Sequence, residues 1–370
     1  MALLHTPLDA LHRELGARMV PFAGYDMPLQ YAPGIIAEHR HTRSGASLFD
    51  VSHMGQLLLE GPGVTATLET LVPADLAGLA AGRQCYTLLT NDAGGVRDDL
   101  IVTRQGPERL FLVVNAACKA ADRAHIEARL QPGQQLRELS GRGLLALQGP
   151  AARAALATLL PEAAQLTFLQ GGAFNLDGME LYITCSGYTG EDGFELSVDG
   201  ALATALARRL LALPQLAPAG LGARDSLRLE AGLCLYGHEL TAQTSPVEAG
   251  LAWSIGRARR PGGERAGGYP GAERVAAELA AGPARRRVGL RVDGRRPVRE
   301  GQAVRTARGD TVGAVTSGGF GATLGAPLAM AYVDSACAAP DTPLVVDARG
   351  RDIAVTVTRM PFVPQRYCRG

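Results

Sequence analysis

The stretch "TNDAGGVRDDLIV", residues 90–102, joins a glycine-rich turn to an apolar run and sets two aspartates side by side between them. NDAGG is typical of a β-hairpin turn, and DDLIV is typical of a strand. Because successive side chains of a strand face opposite sides, Asp99 shares a face with Ile101. Asp98 shares the other face with Leu100, so only one aspartate can point into a given pocket. The alternative is that an aspartate at the exit of a turn only accepts hydrogen bonds from backbone amides.

Strand-like and helical segments surround this stretch on both sides. Short β runs mix with helical segments from about 51 to 135, and a second such unit runs from about 140 to 235. The first 50 residues combine a helical period over residues 8–19 with a turn-rich passage at 21–34. We therefore predict an α+β fold for this part of the chain.

The last third of the sequence has a different character. Residues 256–287 are rich in Arg, Gly, Ala and Pro and predict a linker or crossover with one short helix. Short β runs with glycine turns follow at close spacing, which indicates a small all-β barrel or sandwich.

Composition narrows the classes of function. The chain has 370 residues, 46% hydrophobic residues and a net charge of +1, which indicates a packed protein of two or three domains. Such a charge gives no general attraction to nucleic acid or to an anionic membrane, and the apolar runs are too short to span one. The start of the sequence carries acids where a signal peptide would not. We expect a soluble cytoplasmic protein.

The cysteines and histidines indicate no metal centre. Six cysteines lie far apart without a CxxC or CxxH pair, so we expect neither a zinc or iron–sulfur site nor a disulfide framework. The seven histidines form no HExxH motif, and no GxSxG motif indicates a serine hydrolase.

Two further segments carry candidate site residues. "GYTGEDGFEL", residues 187–196, lacks the pattern of a phosphate-binding loop, so its glycines indicate tight turns or close approach of a ligand. Glu195 would face away from its two apolar neighbours and would need a partner if buried. In "GLGARDSLRLEAGL", residues 220–233, Arg224 and Arg228 share a helix face; a solvated, salt-bridged face is the alternative.

Eight collinear segments together resemble the glycine cleavage T-proteins, the tetrahydrofolate-dependent aminomethyltransferases, over nearly the whole chain. They are "MVPFAGYDMPLQY" (19–31), "LFDVSHM" (48–54), "TNDAGGVRDDLIV" (90–102), "LLALQGP" (144–150), "GYTGEDGFEL" (187–196), "GLGARDSLRLEAGLCLYG" (220–237), "TSGGFGATLG" (316–325) and "MPFVPQRY" (360–367).

The resemblance implies two interleaved α+β domains around a central folate cavity, followed by a small β-barrel. The implied boundaries place a folate-binding region at 1–255, a linker at 256–284 and the barrel at 285–367. Within the first region, about 1–50 would join 138–230, and 51–137 would join 231–275.

The resemblance also implies the reaction and the partner. Family members transfer the one-carbon unit from the aminomethyl-lipoyl arm of H-protein to tetrahydrofolate. The products are 5,10-methylenetetrahydrofolate, ammonia and dihydrolipoyl H-protein. Tetrahydrofolate would be a co-substrate, and neither a metal, a nucleic acid nor a membrane is implied. The arginine clusters at 257–260 and 285–287 either help to dock an acidic carrier protein or lie in a solvated linker.

The family pattern assigns roles to individual residues. The second aspartate of the DDL element, Asp99, would be catalytic, and Glu195 would accept hydrogen bonds from the pterin ring. Arg224 would contact the folate or fix Glu195, and Tyr367 would lie at the cavity mouth. Four further positions are expected to line the cavity wall: Tyr86, Asn115, Tyr188 and Trp253.

The competing interpretations are folate-binding paralogues and a binding module without chemistry. One paralogue type shows a "KGCYxGQE"-like element, where this chain has "LCLYGHEL" (233–240). Another type is fused to a flavin-binding half with GxGxxG, which has no counterpart here. A pure binding module would not need Asp99.

Overall fold

The computed structural model describes residues 2–369, which form twenty strands and eight α-helices. The strands are β1 (Leu4–His5), β2 (Arg18–Phe22), β3 (Tyr25–Gln30), β4 (Ala46–Asp50), β5 (Gly55–Glu60), β6 (Gln84–Thr90), β7 (Val96–Gly106), β8 (Arg109–Val114), β9 (Gln135–Glu138), β10 (Arg142–Gln148), β11 (Gly171–Leu176), β12 (Met179–Thr184), β13 (Gly193–Asp199), β14 (Leu216–Pro218), β15 (Arg285–Val292), β16 (Ala303–Arg305), β17 (Thr311–Gly321), β18 (Ala326–Asp334), β19 (Pro343–Asp347) and β20 (Asp352–Thr358). The helices are α1 (Asp9–Glu14), α2 (Ile35–Ser44), α3 (Val64–Glu69), α4 (Lys119–Glu127), α5 (Ala152–Ala157), α6 (Gly200–Leu211), α7 (Leu221–Glu230) and α8 (Ala272–Ala281).

A six-stranded sheet in the order β11-β12-β13-β10-β4-β14 forms the first layer. One face buries Phe194 and Leu196 in a core to which α5 and α6 contribute. The opposite face packs Ala146 against Ala223 and Leu227 of α7. Alternation along β13 therefore turns Glu195 away from the main core and toward the side on which α7 lies.

A five-stranded sheet in the order β6-β7-β8-β5-β9 forms a second unit. One face, with Leu100 and Val102, packs against α3 and α4 through residues such as Leu68 and Ile126. The other face, with Leu88, packs against the segment 234–251 that follows α7. The two faces of β7 thus meet different parts of the molecule.

Strands β15–β20 close into a six-stranded barrel in the order β15-β18-β17-β16-β19-β20. Its interior is filled mainly by valine, leucine and alanine. This confirms the predicted α+β fold with a C-terminal barrel. The chain leaves the six-stranded sheet after β4, builds β5–β9 and returns at β10. The segment boundaries expected from the sequence stay a prediction.

The N-terminal region differs from the sequence expectation in two places. The helical period over residues 8–19 yields only α1, because Gly16 adopts a φ of +71° and the chain continues into β2. The passage at 21–34, read as turns, contains the last residues of β2 and all of β3. These strands form a small separate sheet in the order β1-β3-β2.

Most members of the two arginine clusters hydrogen-bond within the chain. Arg259 donates to the Glu69 carbonyl at 2.7 Å, and Arg287 donates to the Ala249 carbonyl at 2.8 Å. Arg285 forms an ion pair with Glu248 at 3.1 Å. Arg257 and Arg286 are exposed, and the docking of a carrier protein by these clusters stays a prediction.

Candidate active site

The two adjacent aspartates lie inside β7 and face opposite layers, as the alternation of a strand predicts. Asp98 is fully buried on the face that packs against α3 and α4. Asp99 is partly exposed and pairs in register with Leu88, on the face that meets the segment after α7. The structure therefore separates the two carboxylates, and only Asp99 lies on the face that meets the segment after α7.

Asp99 has two neighbours that are predicted from the sequence to line the cavity wall. Asn115 Nδ2 donates to Asp99 Oδ1 at 2.8 Å, and the Tyr86 side chain lies beside the Asp99 carboxylate. Burial, followed by the charge of Asp98, raises the pKa of Asp99 to about 7, against the lowering effect of Tyr86 and Asn115. Asp99 therefore changes charge near neutral pH, where a proton-transferring group is most effective.

Trp253 extends this group of residues to the surface. Its ring stacks on Tyr86 with centroids 5.4 Å apart, while 63% of the Trp253 residue surface remains exposed. An aromatic pair with one partly buried and one exposed member forms a flat wall with an open edge. Such a wall suits a planar ligand that enters from solvent.

Glu195, on β13, and Arg224, on α7, lie near each other and form a second group of residues. Burial raises the pKa of Glu195, while the Arg224 charge and a hydrogen bond from Ser186 at 3.2 Å lower it. The Arg224 guanidinium donates no hydrogen bond and forms no ion pair within residues 2–369, and its buried Nη1 has no partner there. A guanidinium and a carboxylate that are neighbours but not bonded to each other remain available to a ligand.

Tyr188 joins the two groups of residues. The Arg224 guanidinium lies over the Tyr188 ring, 4.7 Å from its centroid, and the Tyr188 hydroxyl donates to the Cys234 carbonyl. Burial raises the pKa of Tyr188, and the nearby Asp99 charge adds to that increase. The sites of Asp99 and of the Glu195–Arg224 pair therefore share one space.

The glycine loop that carries Tyr188 is packed against Gln148. A Cβ added at Gly187 would lie 1.8 Å from Gln148 Oε1, and Gly190 adopts a φ of +78°. Gln148 Nε2 donates to the Ser186 carbonyl at 2.9 Å and Gln148 Oε1 accepts from Thr189 at 2.8 Å. Gly190 thus permits a tight turn, as the sequence predicts, and Gly187 permits the close approach of Gln148; the close approach of a ligand stays a prediction.

Tyr367 occupies a different neighbourhood. It stacks face to face on Phe168, with centroids 4.1 Å apart, and its charged neighbours are Arg369, Arg43 and Glu191. No hydrogen bond among the described residues joins Tyr367 to Asp99, Glu195 or Arg224. The structure thus brings seven of the eight predicted residues together and leaves Tyr367 at the adjoining C-terminal segment.

His53 is a further residue of this region, and the sequence does not predict it as a site residue. It is 3% exposed, and its Nδ1 has no hydrogen-bond partner in the part of the chain that the structure describes. Burial, together with the charges of Arg224 and Lys119 and against the opposing charge of Asp50, lowers the pKa of His53 to about 4, so the ring is neutral at neutral pH. No motif in the sequence marks His53, because its burial beside Arg224 depends on tertiary structure.

Two other features of the described residues bear on function. Among residues 2–369, three or more possible metal-binding side chains come within ligand distance of one another only at His5, Asp9 and Asp26, where Arg13 pairs with both aspartates. From residue 2 to residue 369, no helix has both the length and the apolar character needed to cross a membrane.

Comparisons with known proteins give matches over nearly the whole chain. The family model described as "GCVT N-terminal domain" matches residues 8–259, and that of the "Glycine cleavage T-protein C-terminal barrel domain" matches residues 285–364. A protein named "Aminomethyltransferase, mitochondrial" from Gallus gallus is 45% identical, covering 99% of this chain and 94% of that protein. A protein of the same name from Pisum sativum is 42% identical, covering 99% and 90%. The crystal structure of glycine cleavage system aminomethyltransferase T from Bartonella henselae superposes with a TM-score of 0.94 at 43% identity, covering 99% and 100%.

Proposed function

The chain belongs to the glycine cleavage T-protein family and is an aminomethyltransferase, and from that premise we propose that tetrahydrofolate and a lipoylated H-protein are its substrates. The aminomethyl group of the lipoyl arm would yield its carbon to tetrahydrofolate. The products would be 5,10-methylenetetrahydrofolate, ammonia and dihydrolipoyl H-protein. The alternatives, a folate-binding paralogue or a binding module without chemistry, are not favoured by the named relatives.

The observation that carries this proposal is the unbonded pair of Glu195 and Arg224. The amide–amine edge of a pterin presents adjacent N–H donors, which a carboxylate can accept as two parallel hydrogen bonds. Glu195 accepts only from Ser186 within the described chain, so it has free lone pairs for that edge. We assign the pterin edge to Glu195 and a direct folate contact to Arg224, because Arg224 does not hydrogen-bond Glu195.

Asp99 is assigned to the reacting end of the folate. Its carboxylate would accept a hydrogen bond from a folate nitrogen beside the reacting carbon and stabilise the positive charge that develops there. Tyr86, Trp253 and Tyr188 would line the ring faces. Tyr367, beside Phe168, is assigned to the region of the folate tail.

Activity should therefore depend on Asp99. The Asp99→Asn variant keeps the shape of the side chain but removes its charge and its capacity to take a proton, so we expect kcat to fall about 10²–10⁴-fold with a small change in folate affinity. The measurement is release of methylenetetrahydrofolate and ammonia from aminomethylated lipoyl H-protein and tetrahydrofolate. Wild-type turnover in this variant would contradict the assignment.

The pH dependence gives a second expectation. Because the pKa of Asp99 is raised to about 7 and the ionised carboxylate is the active form, kcat/KM should decline as the pH falls below about 7. The Asp99→Asn variant should lack this decline. An identical decline in both proteins would assign the titration to another group.

The location and the metal requirement are also proposals. The cytoplasmic location that the sequence predicts stays a prediction, since several relatives carry the word mitochondrial in their names. We propose a reaction without a metal because, among the described residues, no three acidic, histidine or cysteine side chains come within ligand distance of one another at Asp99.

A further inference from the structure

Asp98 has no part in the proposed reaction, yet it is bound as specifically as Asp99. It is fully buried, and both of its carboxylate oxygens accept hydrogen bonds from a single residue, Asn115. Asp98 Oδ2 accepts from the Asn115 backbone N–H at 3.0 Å, and Asp98 Oδ1 accepts from Asn115 Nδ2 at 2.8 Å. A buried carboxylate is costly unless such bonds satisfy it, so these two bonds hold Asn115 firmly.

Asn115 follows the end of β8 and reaches both aspartates. Its Nδ2 also donates to Asp99 Oδ1 at 2.8 Å and to the Asp99 carbonyl at 3.1 Å. All three acceptors of this NH2 group are oxygens, and the amide oxygen of Asn115 would be repelled in the same place. Asp98 therefore determines which way the amide points, and the amide in turn holds the carboxylate of Asp99.

Asp122 completes the arrangement from α4. It is 2% exposed, and burial together with the neighbouring Asp98 carboxylate raises its pKa, so it carries a proton at neutral pH. Asp122 is therefore a neutral carboxyl group beside Asp98. Three other titratable or charged groups face Asp98 and Asp122: Cys118, Tyr236 and Arg97. Four titratable groups face Asp99: Tyr86, Tyr188, Cys118 and Cys234.

We propose that Asp98 is a positioning residue that acts through Asn115 to orient the carboxylate of Asp99. This inference rests on the proposed function, in which Asp99 acts at the reacting end of the folate. Asp98 touches no substrate. It acts from behind the strand, on the face opposite to the cavity.

The Asp98→Asn variant tests the link with a nearly isosteric change. In this variant one carboxylate oxygen of residue 98 is replaced by an NH2 group, which cannot accept a hydrogen bond. One of the two hydrogen bonds from Asn115 to residue 98 is therefore lost. We expect kcat to fall about 10- to 100-fold, because small misplacements of a catalytic group are costly. KM for tetrahydrofolate should change by less than about 3-fold, since the binding residues are untouched.

A double-mutant cycle with Asn115→Ala identifies the route. If Asp98 acts through Asn115, then adding Asp98→Asn to Asn115→Ala should lower kcat by less than about 2-fold further. The matched control is Asp92→Asn, an exposed aspartate in the same hairpin with no hydrogen bond among the described residues, which should leave kcat unchanged. An equal loss in both backgrounds would overturn the proposal. Should Asp98→Asn fail to fold, the same cycle is run with Asp98→Asn/Asp122→Asn, in which the new amide finds an acceptor at position 122.

A readout without turnover separates this inference from the proposed function. The Asp99 carboxyl carbon, labelled with ¹³C and assigned with Asp99→Asn, should titrate near pH 7 in the wild type and at higher pH in Asn115→Ala, because the Asn115 hydrogen bond lowers the Asp99 pKa. An inactive wild type with this shift would reject the function and support the positioning of Asp99. An active wild type, with an unchanged titration and additive kcat losses, would reject the positioning and leave the function standing.

Discussion

The alternation of side chains along β7 decides which of two adjacent aspartates can take part in the reaction. Asp98 and Asp99 are neighbours in sequence, but the pleat of β7 sends one toward α4 and the other toward the segment after α7. The two possibilities weighed for them from sequence both occur. Asp98 accepts a hydrogen bond from a backbone amide, and Asp99 has the environment of a reactive group.

Glu195 offers a residue-scale prediction about recognition. In Glu195→Gln the side chain keeps its length but loses its charge, and one acceptor oxygen becomes a donor that faces the donors of the pterin edge. A hydrogen bond to a charged group is worth about 1.5–3 kcal/mol, so the Kd for tetrahydrofolate should rise about 10- to 150-fold. Isothermal titration measures this. Glu180→Gln, an exposed glutamate on the neighbouring strand, is the matched control and should leave the Kd unchanged; equal affinities for all three proteins would contradict the assignment.

The sequence could supply only part of the site at this scale. Asp99 and Glu195 could be predicted from the sequence because strand alternation assigns each a face, and the family resemblance named the residues. Asp122 and His53 could not be predicted in the same way. Each gains its environment from elements distant in sequence: Asp98 for Asp122, and Arg224 and Lys119 for His53.

At the scale of elements, the glycine loop between β12 and β13 is the part of the site most sensitive to packing. Gly187→Ala would place a Cβ against Gln148 and break the hydrogen bonds by which Gln148 holds Ser186 and Thr189. We expect the free energy of unfolding to fall by about 1–3 kcal/mol, from overpacking and lost buried hydrogen bonds. Folate affinity should fall with it, because the same loop carries Tyr188.

Urea unfolding of Gly187→Ala beside Gly141→Ala measures this effect. Nothing lies within 4 Å of a Cβ at Gly141, so that control should stay within about 0.5 kcal/mol of the wild type. If the two variants unfold alike, the close approach of Gln148 does not constrain the loop.

Element types were predictable where the periodicity was long and undisturbed. The run at 201–213 and the segment after Gly220 became α6 and α7, and the close β runs after residue 285 became the barrel. The β2–β3 hairpin was missed because Pro21 and Pro28 indicate turns, whereas a small sheet at the edge of the molecule tolerates them. Barrel closure depends on strand pairing over long sequence distances, which the runs themselves do not specify.

At the scale of the whole molecule, a buried ionic network joins the sheet units to the barrel. Glu230, at the end of α7, lies 3.1 Å from both His39 Nε2 and Arg43 Nη2 on α2, and it accepts from the Thr323 backbone N–H of the barrel at 2.8 Å. Arg43 also pairs with Glu191 at 2.7 Å, and Glu191 pairs with Arg366 of the C-terminal segment at 2.6 Å. One helix end therefore links the folate region, the barrel and the last residues.

Glu230→Gln should weaken this junction. Removing one charge of a buried network leaves its partners uncompensated, which costs about 3–5 kcal/mol. The pKa of Glu230 is lowered to about 2, chiefly by its hydrogen bonds from His39 and Thr323 against the opposing effect of burial. A carboxyl group whose pKa is lower in the folded state stabilises the protein above its unfolded pKa. That stabilisation is lost as the pH falls from about 4.5 toward 2.

Urea unfolding at pH 7 and at stepwise lower pH tests the junction, with Glu14→Gln as the control. Glu14 pairs with Arg208 at the surface, so its removal should leave the unfolding midpoint essentially unchanged. For Glu230→Gln we expect a lower midpoint at pH 7 and a smaller loss of stability between pH 4.5 and 2 than in the wild type, because the titrating group is gone. If the barrel of Glu230→Gln unfolds in a separate, earlier transition, then the Glu230 network makes the two sheet units and the barrel of the wild type unfold together. An unchanged midpoint would show that the apolar contacts of Leu229 with Leu328 and Met330 suffice to hold the barrel on α7.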